Sequence, residues 1–244
     1  TNIFYGDFVV LSRGFATRAA VSTGTGSNQV TGVFLGCSYT NPTTKQKQFS
    51  QYWPASTLAG DAVAIVCDDP DTVFKAVVCS SGTTVASGAL AMVGTNLSMI
   101  DNSTGNVNTG DSTNAVLAPT ATPVTTILPV RCVGVVPDTA YSFNATGSSS
   151  TTTITLTGSG TPQAIPVGTS VAYLASNGQV IQTSSFVSSA AVAGATSVTL
   201  NAAIAVPGSV TAIPASSTII FTVYPEILVK MNLLVHGYYS STTA

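Results

Sequence analysis

Only one residue of the chain, His236, could serve as the histidine base of a nucleophilic site. A serine or cysteine nucleophile would need this base as its partner, and no G-x-S-x-G segment occurs to supply the serine. His236 ends an alternating apolar pattern, which favours a place on a sheet surface or at an interface. The sequence therefore predicts a protein that is not an enzyme and has no catalytic residue.

Two further patterns match known ligand-binding motifs in part. Asp68, Asp69 and Asp71 cluster, but they match no calcium-binding loop, so we expect a solvated turn. The Gly-Thr-Gly of residues 24–26 starts like a dinucleotide loop, yet Gln29 stands where the third glycine belongs. We therefore expect neither a bound metal nor a cofactor.

The four cysteines have no CxxC spacing of the kind that zinc ribbons use: Cys37, Cys67, Cys79 and Cys132. If the acidic turn after Cys67 joined two antiparallel strands, Cys79 would lie well past the residue opposite Cys67. The apolar neighbours of the cysteines favour four reduced and buried thiols.

Three aromatic residues gather in one short segment, where Phe49, Tyr52 and Trp53 precede Pro54. Tyrosine and tryptophan dominate binding hot spots, so the segment is a candidate interface anchor. A role in filling the core beneath a loop explains the aromatic segment equally well, and a sugar-binding platform explains it less well.

The composition excludes several classes of protein. Only 7% of the 244 residues are charged, and 7 Lys and Arg against 9 Asp and Glu give a net charge of −2. A nucleic-acid-binding protein needs a basic patch, which this balance does not supply. No apolar run approaches the roughly 18 residues of a membrane span. Residues 1–7 lack the pattern of a signal peptide, which favours synthesis in the cytoplasm.

Apolar residues alternate with polar ones in most of the chain, which is typical of strands. The clearest case is the segment 226–236, and further strands are predicted at 30–38, 62–67, 73–79 and 128–136. Shorter strands follow around Ile154, Val171, Val198 and Phe221, with a type I′ hairpin at Asn177-Gly178. Residues 86–100 have roughly helical spacing, interrupted by Gly88 and Gly94, and form the only plausible helix. Residues 101–114 are expected to form a loop. These patterns predict an all-β sandwich or barrel.

Charge divides the chain into two regions. No residue from 139 to 225 is charged, whereas the segments on both sides carry charges. The strand at 226–236 resembles the strands before 138. We therefore predict a main β domain of residues 1–139 plus 223–244, with a second small all-β domain, rich in Ser and Thr, inserted as residues 140–222.

The charged region contains a set of motifs: GVFLGCSYTNPTT (32–44), FSQYWP (49–54), DAVA (61–64), DDP (68–70) with Phe74, LPVR (128–131), GVV (134–136) and YPEILVK (224–230) with His236, Tyr238 and Tyr239. Together they resemble the capsid decoration, or cement, proteins of tailed bacteriophages. The similarity covers residues 1–138 and 223–244 and does not involve the uncharged region.

The resemblance implies a virion structural protein that binds the outer surface of the phage head and stabilises contacts between major capsid subunits. It implies the major capsid protein as partner, self-association as a homotrimer, and no catalytic residue. The predicted interface residues are Phe49, Tyr52, Trp53, Tyr224, Tyr238 and Tyr239. The alternative is a head-fibre or tail adhesin that binds host-surface glycans, since the inserted region is rich in Ser and Thr and the segment 49–53 carries aromatic residues.

Overall fold

A computed structural model describes residues 1–19, 30–81, 84–100, 105–118, 128–204 and 212–237. The described residues contain 3₁₀ segments at Leu90–Met92, Pro137–Thr139 and Leu233–Val235 and no α-helix, so the all-β prediction is confirmed. We number the strands along the chain as β1 (Phe8–Ser12), β2 (Phe15–Arg18), β3 (Gly32–Thr40), β4 (Lys47–Ser50), β5 (Val63–Cys67), β6 (Phe74–Ser81), β7 (Thr84–Val85), β8 (Asn96–Leu97), β9 (Met99–Ile100), β10 (Ala115–Leu117), β11 (Val130–Val135), β12 (Tyr141–Ser149), β13 (Thr153–Leu156), β14 (Ser170–Leu174), β15 (Val180–Phe186), β16 (Ser197–Thr199), β17 (Ser217–Val223) and β18 (Glu226–Met231).

The first sheet has five strands and is organised around the long strand β3. One side of β3 pairs with β1 and then β4, and its other side pairs with β5, while β2 pairs with β1. A two-residue turn joins β1 to β2, with Arg13 at φ 51° and Gly14 at φ 83°. Two successive positive φ angles are the mark of a type I′ turn, which matches the twist of the two strands.

The last strand, β18, lies inside a seven-stranded sheet. The order of this sheet is β8-β11-β18-β6-β10-β9, with β7 beside β6. Ile227, Val229 and Met231 of β18 are buried, and the residues between them are half-buried. This is the alternation that the sequence predicts for the segment. The chain therefore returns after residue 223 to a sheet that it began before residue 140.

The five- and seven-stranded sheets pack against each other. Phe8 and Val10 of β1 contact a cluster that contains Met231 of β18, and Phe74 of β6 packs against the same cluster. Phe8 also packs against the main cluster of the seven-stranded sheet, around Val229. Side chains from facing sheets thus form one continuous core, as in a β-sandwich.

The third sheet has six strands, all from residues 141–223, in the order β15-β14-β17-β12-β13-β16. Its inner face carries its own hydrophobic cluster, in which Val171, Ile219 and Phe221 are fully buried. Connecting segments cover this face with Ile165, Val187, Ile204 and Ile213. The strands predicted in the uncharged region are confirmed. Whether the region folds alone stays a prediction.

The predicted helix at 86–100 is wrong. The segment holds one 3₁₀ turn and two short strands, and Gly94 has φ +87°. Gly88 exchanges two backbone hydrogen bonds with Tyr224, with N–O distances of 2.6 and 3.0 Å. This extended pairing, which joins the segment to the end of the six-stranded sheet, outweighs a helical propensity that the two glycines already weaken.

The predicted strand at 226–236 is correct only up to Met231. The side chain of Asn232 accepts a hydrogen bond from the Leu234 amide, and residues 233–235 form a 3₁₀ turn. Leu233 is exposed, contrary to the alternation. His236, which follows the 3₁₀ turn, is only 1% exposed, and its Nε2 lies 2.9 Å from the carbonyl oxygen of Asp68. The expectation that His236 lies on a sheet surface is therefore wrong.

The hairpin at Asn177-Gly178 is confirmed, but its turn type is not. Leu174 pairs with Val180, and Gly178 has φ +80°, whereas Asn177 has no positive φ. The Gly178 amide donates to the Ala175 carbonyl, and the Ala175 amide donates to the Gln179 carbonyl. These bonds describe a type I turn followed by a glycine bulge, which needs only one positive φ.

Candidate interaction surfaces

Strand β5 forms an edge of the five-stranded sheet. Among the residues described, it pairs with β3 alone. Its sequence is apolar on both faces: Val66 packs inward with Phe34, while Val63 and Ile65 are 58% and 52% exposed. Native proteins usually protect such edges with charges or cover them, because an open apolar edge invites association with another chain. Strand β5 is therefore a candidate binding edge.

A row of exposed apolar side chains continues from β5 across the sheet. Ser38 of β3 lies opposite Val63 on one side and opposite Phe49 of β4 on the other, so the three share a face. Phe49 is 81% exposed. A β-bulge between Phe34 and Gly36 places Leu35 beside Ile65 on the same face.

A groove of about 600 Å³ adjoins this row, between the five-stranded sheet and strand β6. Tyr5, Leu35, Val73 and Val77 are among the residues that line the groove, and Lys75 and Asp111 are its charged lining residues. All four apolar side chains are more than one third exposed. We call the row and the groove together the outer apolar surface: Tyr5, Leu35, Phe49, Val63, Ile65, Val73 and Val77.

One wall of the groove is held by a buried carboxylate, that of Asp7. Its side chain accepts hydrogen bonds from the Phe4 amide (2.8 Å), the Ser112 hydroxyl (2.5 Å) and the Asn114 amide group (2.9 Å). The Arg18 guanidinium lies 3.9 Å away. Burial raises the pKa of Asp7, although the Phe4 and Ser112 hydrogen bonds and the charge of Arg18 lower it. Asp7 thus ties residues 3–7 to the loop that ends at Asn114.

We expect Asp7 to make the protein less stable as the pH rises. Since its pKa is raised in the folded state, its contribution is fully present below the ordinary value of 3.8 and is lost as the pH rises through the raised value. The free energy of unfolding, measured by urea titration at closely spaced pH values, should therefore fall across this window. In Asp7→Asn the fall of the unfolding free energy across this window should disappear. A variant whose unfolding free energy depends on pH like that of the wild type would contradict the prediction.

A second cleft, of about 700 Å³, lies on the opposite face of β5. The tip of the β1–β2 hairpin forms one side with Leu11 and Phe15, and Ala64, Val66 and Trp53 contribute to the rest. Leu11 and Phe15 are 49% and 74% exposed. None of the lining residues is charged. We call this the inner cleft.

An ion pair closes the end of β5 where the strand begins. Asp61 accepts hydrogen bonds from the Thr40 amide (2.9 Å) and hydroxyl (2.7 Å) and lies 3.0 Å from Lys47. The Thr40 hydrogen bonds and Lys47 hold the pKa of Asp61 well below its usual range. The charge at this end of the edge is therefore balanced, and the apolar segment between residues 62 and 67 has no charge of its own.

The structure separates the aromatic residues that the sequence groups together. Phe49 protrudes into solvent, whereas Tyr52 stacks on Phe4 at 5.5 Å and Trp53 meets Tyr39 edge-on at 5.2 Å. Tyr52 and Trp53 are half-buried, so they serve partly as core, and Trp53 also lines the inner cleft. Tyr224 is half-buried beside Gly88. Tyr238 and Tyr239 lie outside the described residues.

The acidic turn is held by local hydrogen bonds and an ion pair, and most of the cysteines are buried. Asp71 lies 3.3 Å from Lys230, and Asp69 accepts hydrogen bonds from the Asp71 amide and the Thr72 hydroxyl. All four cysteines are free. Cys37, Cys79 and Cys132 are buried as expected, with their pKa raised by burial, but Cys67 is only half-buried. The described residues contain no cluster of metal-binding side chains, and residues 24–26 lie outside them.

The turn at 68–71 is not a hairpin turn, since β5 and β6 belong to different sheets. It is a crossing between the two layers of the sandwich. The groove of the outer apolar surface follows from this crossing, because the end of β5 and the start of β6 diverge at the turn and both line the groove.

Sequence reasoning missed two parts of these surfaces. The β1–β2 hairpin, which carries Leu11 and Phe15, has a sequence signal in the β-branched run before Arg13-Gly14. The exposure of Leu35 and Ile65 has no such signal, because an apolar strand in the middle of a sheet has the same sequence pattern as one at its edge.

No family model, no curated protein and no solved structure matches the chain significantly. No helix in the described part of the chain is long and apolar enough to cross a bilayer.

Proposed function

We propose that this chain is a virion structural protein: a capsid decoration protein that binds the outer surface of a tailed-phage head and stabilises contacts between major capsid subunits. The observation that carries the proposal is the pair of exposed, mostly apolar surfaces beside edge strand β5, of which the inner cleft has no charged lining residue. The resemblance of the motifs at 32–44, 49–54 and 224–230 supports the same assignment.

A protein partner fits these surfaces better than other partners do. Monomeric proteins rarely expose large contiguous apolar patches, and those that exist usually mark a binding surface. A net charge of −2 and few basic residues speak against nucleic acid as the partner. The affinity would come from burial of apolar area and from pairing at the open edge of β5.

A decoration protein needs two kinds of contact, one with the shell and one with its own copies. We assign the inner cleft to the shell, because a concave site requires a protruding counterpart such as a loop or segment of a capsid subunit. The outer apolar surface is then left for self-association, which we propose gives a homotrimer. With few charges, many close copies would repel each other little.

The adhesin alternative loses part of its motivation. A sugar-binding platform needs exposed aromatic faces, but Tyr52 stacks on Phe4 and Trp53 packs against Tyr39. Phe49 alone presents a largely exposed ring in this segment.

Sedimentation with purified shells that lack the protein tests the proposal. We expect the wild-type chain to sediment with the shells and to raise their resistance to heat and low salt. Phe15→Ser, in the inner cleft, should weaken the binding about thirtyfold or more, as expected for a hot-spot aromatic residue. The control Val192→Ser removes a residue that is 73% exposed in the six-stranded sheet region and should bind normally.

Cryo-EM of the particle that contains the chain gives an independent result. Density on the outer shell between capsid subunits would support the decoration role. Density at a neck or tail tip would support the adhesin instead, and shells that bind no protein would overturn the proposal.

A further inference from the structure

The outer apolar surface combines a protruding side chain and a recess. Phe49 stands out from β4 and is 81% exposed, and the groove lined by Leu35, Val73 and Val77 has a volume of about 600 Å³. Ser38, Val63 and Ile65 lie between the two on the same sheet face. Phe49 is not among the residues that line the groove of its own chain.

From this arrangement we propose that the outer apolar surface is the self-association interface, in which Phe49 of one copy enters the groove of a second copy. The inference rests on the proposed function and specifies which surface holds the copies together. A contact between two different parts of the surface is heterologous, and such contacts close into rings when the rotation between copies permits.

The size of the surface favours a second copy over a small ligand. Its seven side chains expose on the order of 600 Å² of mostly apolar area, which is at the upper end of the largest patches on monomers. A standard interface buries about 800 Å² per partner, so the patch and its polar rim suffice for one.

The charges near the surface are few, and most of them are paired. Interfaces between identical subunits are more apolar than transient ones, and charged residues are depleted at their centre. Lys47 pairs with Asp61 beyond one end of β5, and Lys75, which lines the groove together with Asp111, pairs with Glu226 at 3.0 Å. A second copy that covers the surface would therefore leave none of the four paired charges without its partner.

Two substitutions test the contact from its two sides. Phe49→Ser removes the protruding ring, and Val73→Glu places a charge in the groove; both positions are exposed, so the fold should tolerate them. We expect each variant to be monomeric at concentrations where the wild-type chain is oligomeric, with a dissociation constant raised about thirtyfold or more. Light scattering after size-exclusion chromatography measures the mass, and thermal unfolding confirms that each variant is folded.

Mixing the two variants makes the test specific. The Phe49→Ser chain keeps its groove and the Val73→Glu chain keeps its phenylalanine, so an equimolar mixture should form a heterodimer through the one intact contact. A mixture that stays monomeric would show that Phe49 and the groove do not meet. The control Val192→Ser should assemble like the wild type.

The remaining outcomes separate this inference from the proposed function. An oligomer that survives both substitutions would overturn the inference and leave the decoration role standing, as would a monomeric wild type that still binds shells. Loss of shell binding in Phe15→Ser with a normal oligomer would support the assignment of the two surfaces to two partners.

Discussion

A chain that ends at Tyr224 is expected to lose the folded seven-stranded sheet and to keep the six-stranded one. Strand β18 lies between β11 and β6, so its removal leaves two open edges in the middle of the sheet. Ile227, Val229 and Met231 are each almost completely buried, and each such side chain contributes about 1.5–3 kcal/mol. Their sum approaches the 5–15 kcal/mol total stability of an ordinary domain.

Calorimetry and limited proteolysis measure this loss. The truncated chain should retain the unfolding transition of the uncharged region, and protease should degrade residues 1–136 rapidly. A matched pair of substitutions in the full chain gives the control: Val229→Ser, which is buried, should destabilise the sheet strongly, and Leu233→Ser, which is exposed, should not. A well-folded chain ending at 224 would show that β18 is dispensable.

Residues 140–224, expressed alone, are expected to fold. The ends of this segment are neighbours, because Tyr141 of β12 pairs with Val223 of β17. Every buried residue of the hydrophobic cluster lies between 145 and 221. A segment with adjacent ends and its own core can be inserted into another fold without disturbing it.

Phe221 is the side chain whose loss should unfold this segment. It is fully buried on the central strand β17 and stacks on Phe143 at 5.5 Å. Phe221→Ala should cost about 3–5 kcal/mol of unfolding free energy, measured by denaturant titration of the isolated segment. In the full chain the same substitution should lower the transition of this region and leave the other transition in place. A single transition that shifts as a whole would contradict the independent folding of the two regions.

Phe15→Ala provides the comparison in the full chain. It removes the same aromatic ring from a position that is largely exposed, so it should change the stability little. The difference in unfolding free energy lost between Phe221→Ala and Phe15→Ala separates the effect of burial from the effect of the substitution itself.

The candidate surfaces could be predicted only in part. The sequence groups the three aromatic residues of the segment 49–54, but in the structure they divide between solvent and core, and the deciding contacts are with Phe4 and Tyr39. Tyr39 belongs to a strand predicted from the sequence, yet its pairing with Trp53 depends on how β3, β4 and the N-terminal segment come together. The sequence left open whether the acidic turn at 68–71 joins two paired strands, as consecutive strands often do, and the structure places β5 and β6 in different sheets.

The local alternation of buried and exposed residues follows from the order of the amino acids alone. It indicated the all-β class, the short strands of the uncharged region, and the return of the chain in β18, because a strand that is half-buried must alternate apolar and polar side chains wherever it pairs. Gly88 and Gly94 also lower the helical propensity of residues 86–100.

Which apolar strands are covered depends on contacts that form only in the folded chain. Strand β5 is as apolar as β11, but β11 lies between β8 and β18, whereas β5 has β3 alone as a partner among the described strands. His236 is buried because the chain passes Val30 and Asp68 at that point, and nothing in its neighbours along the sequence indicates this. Burial depends on partners that are distant in sequence, and the same side chains form a core in one sheet and a binding surface at the edge of another.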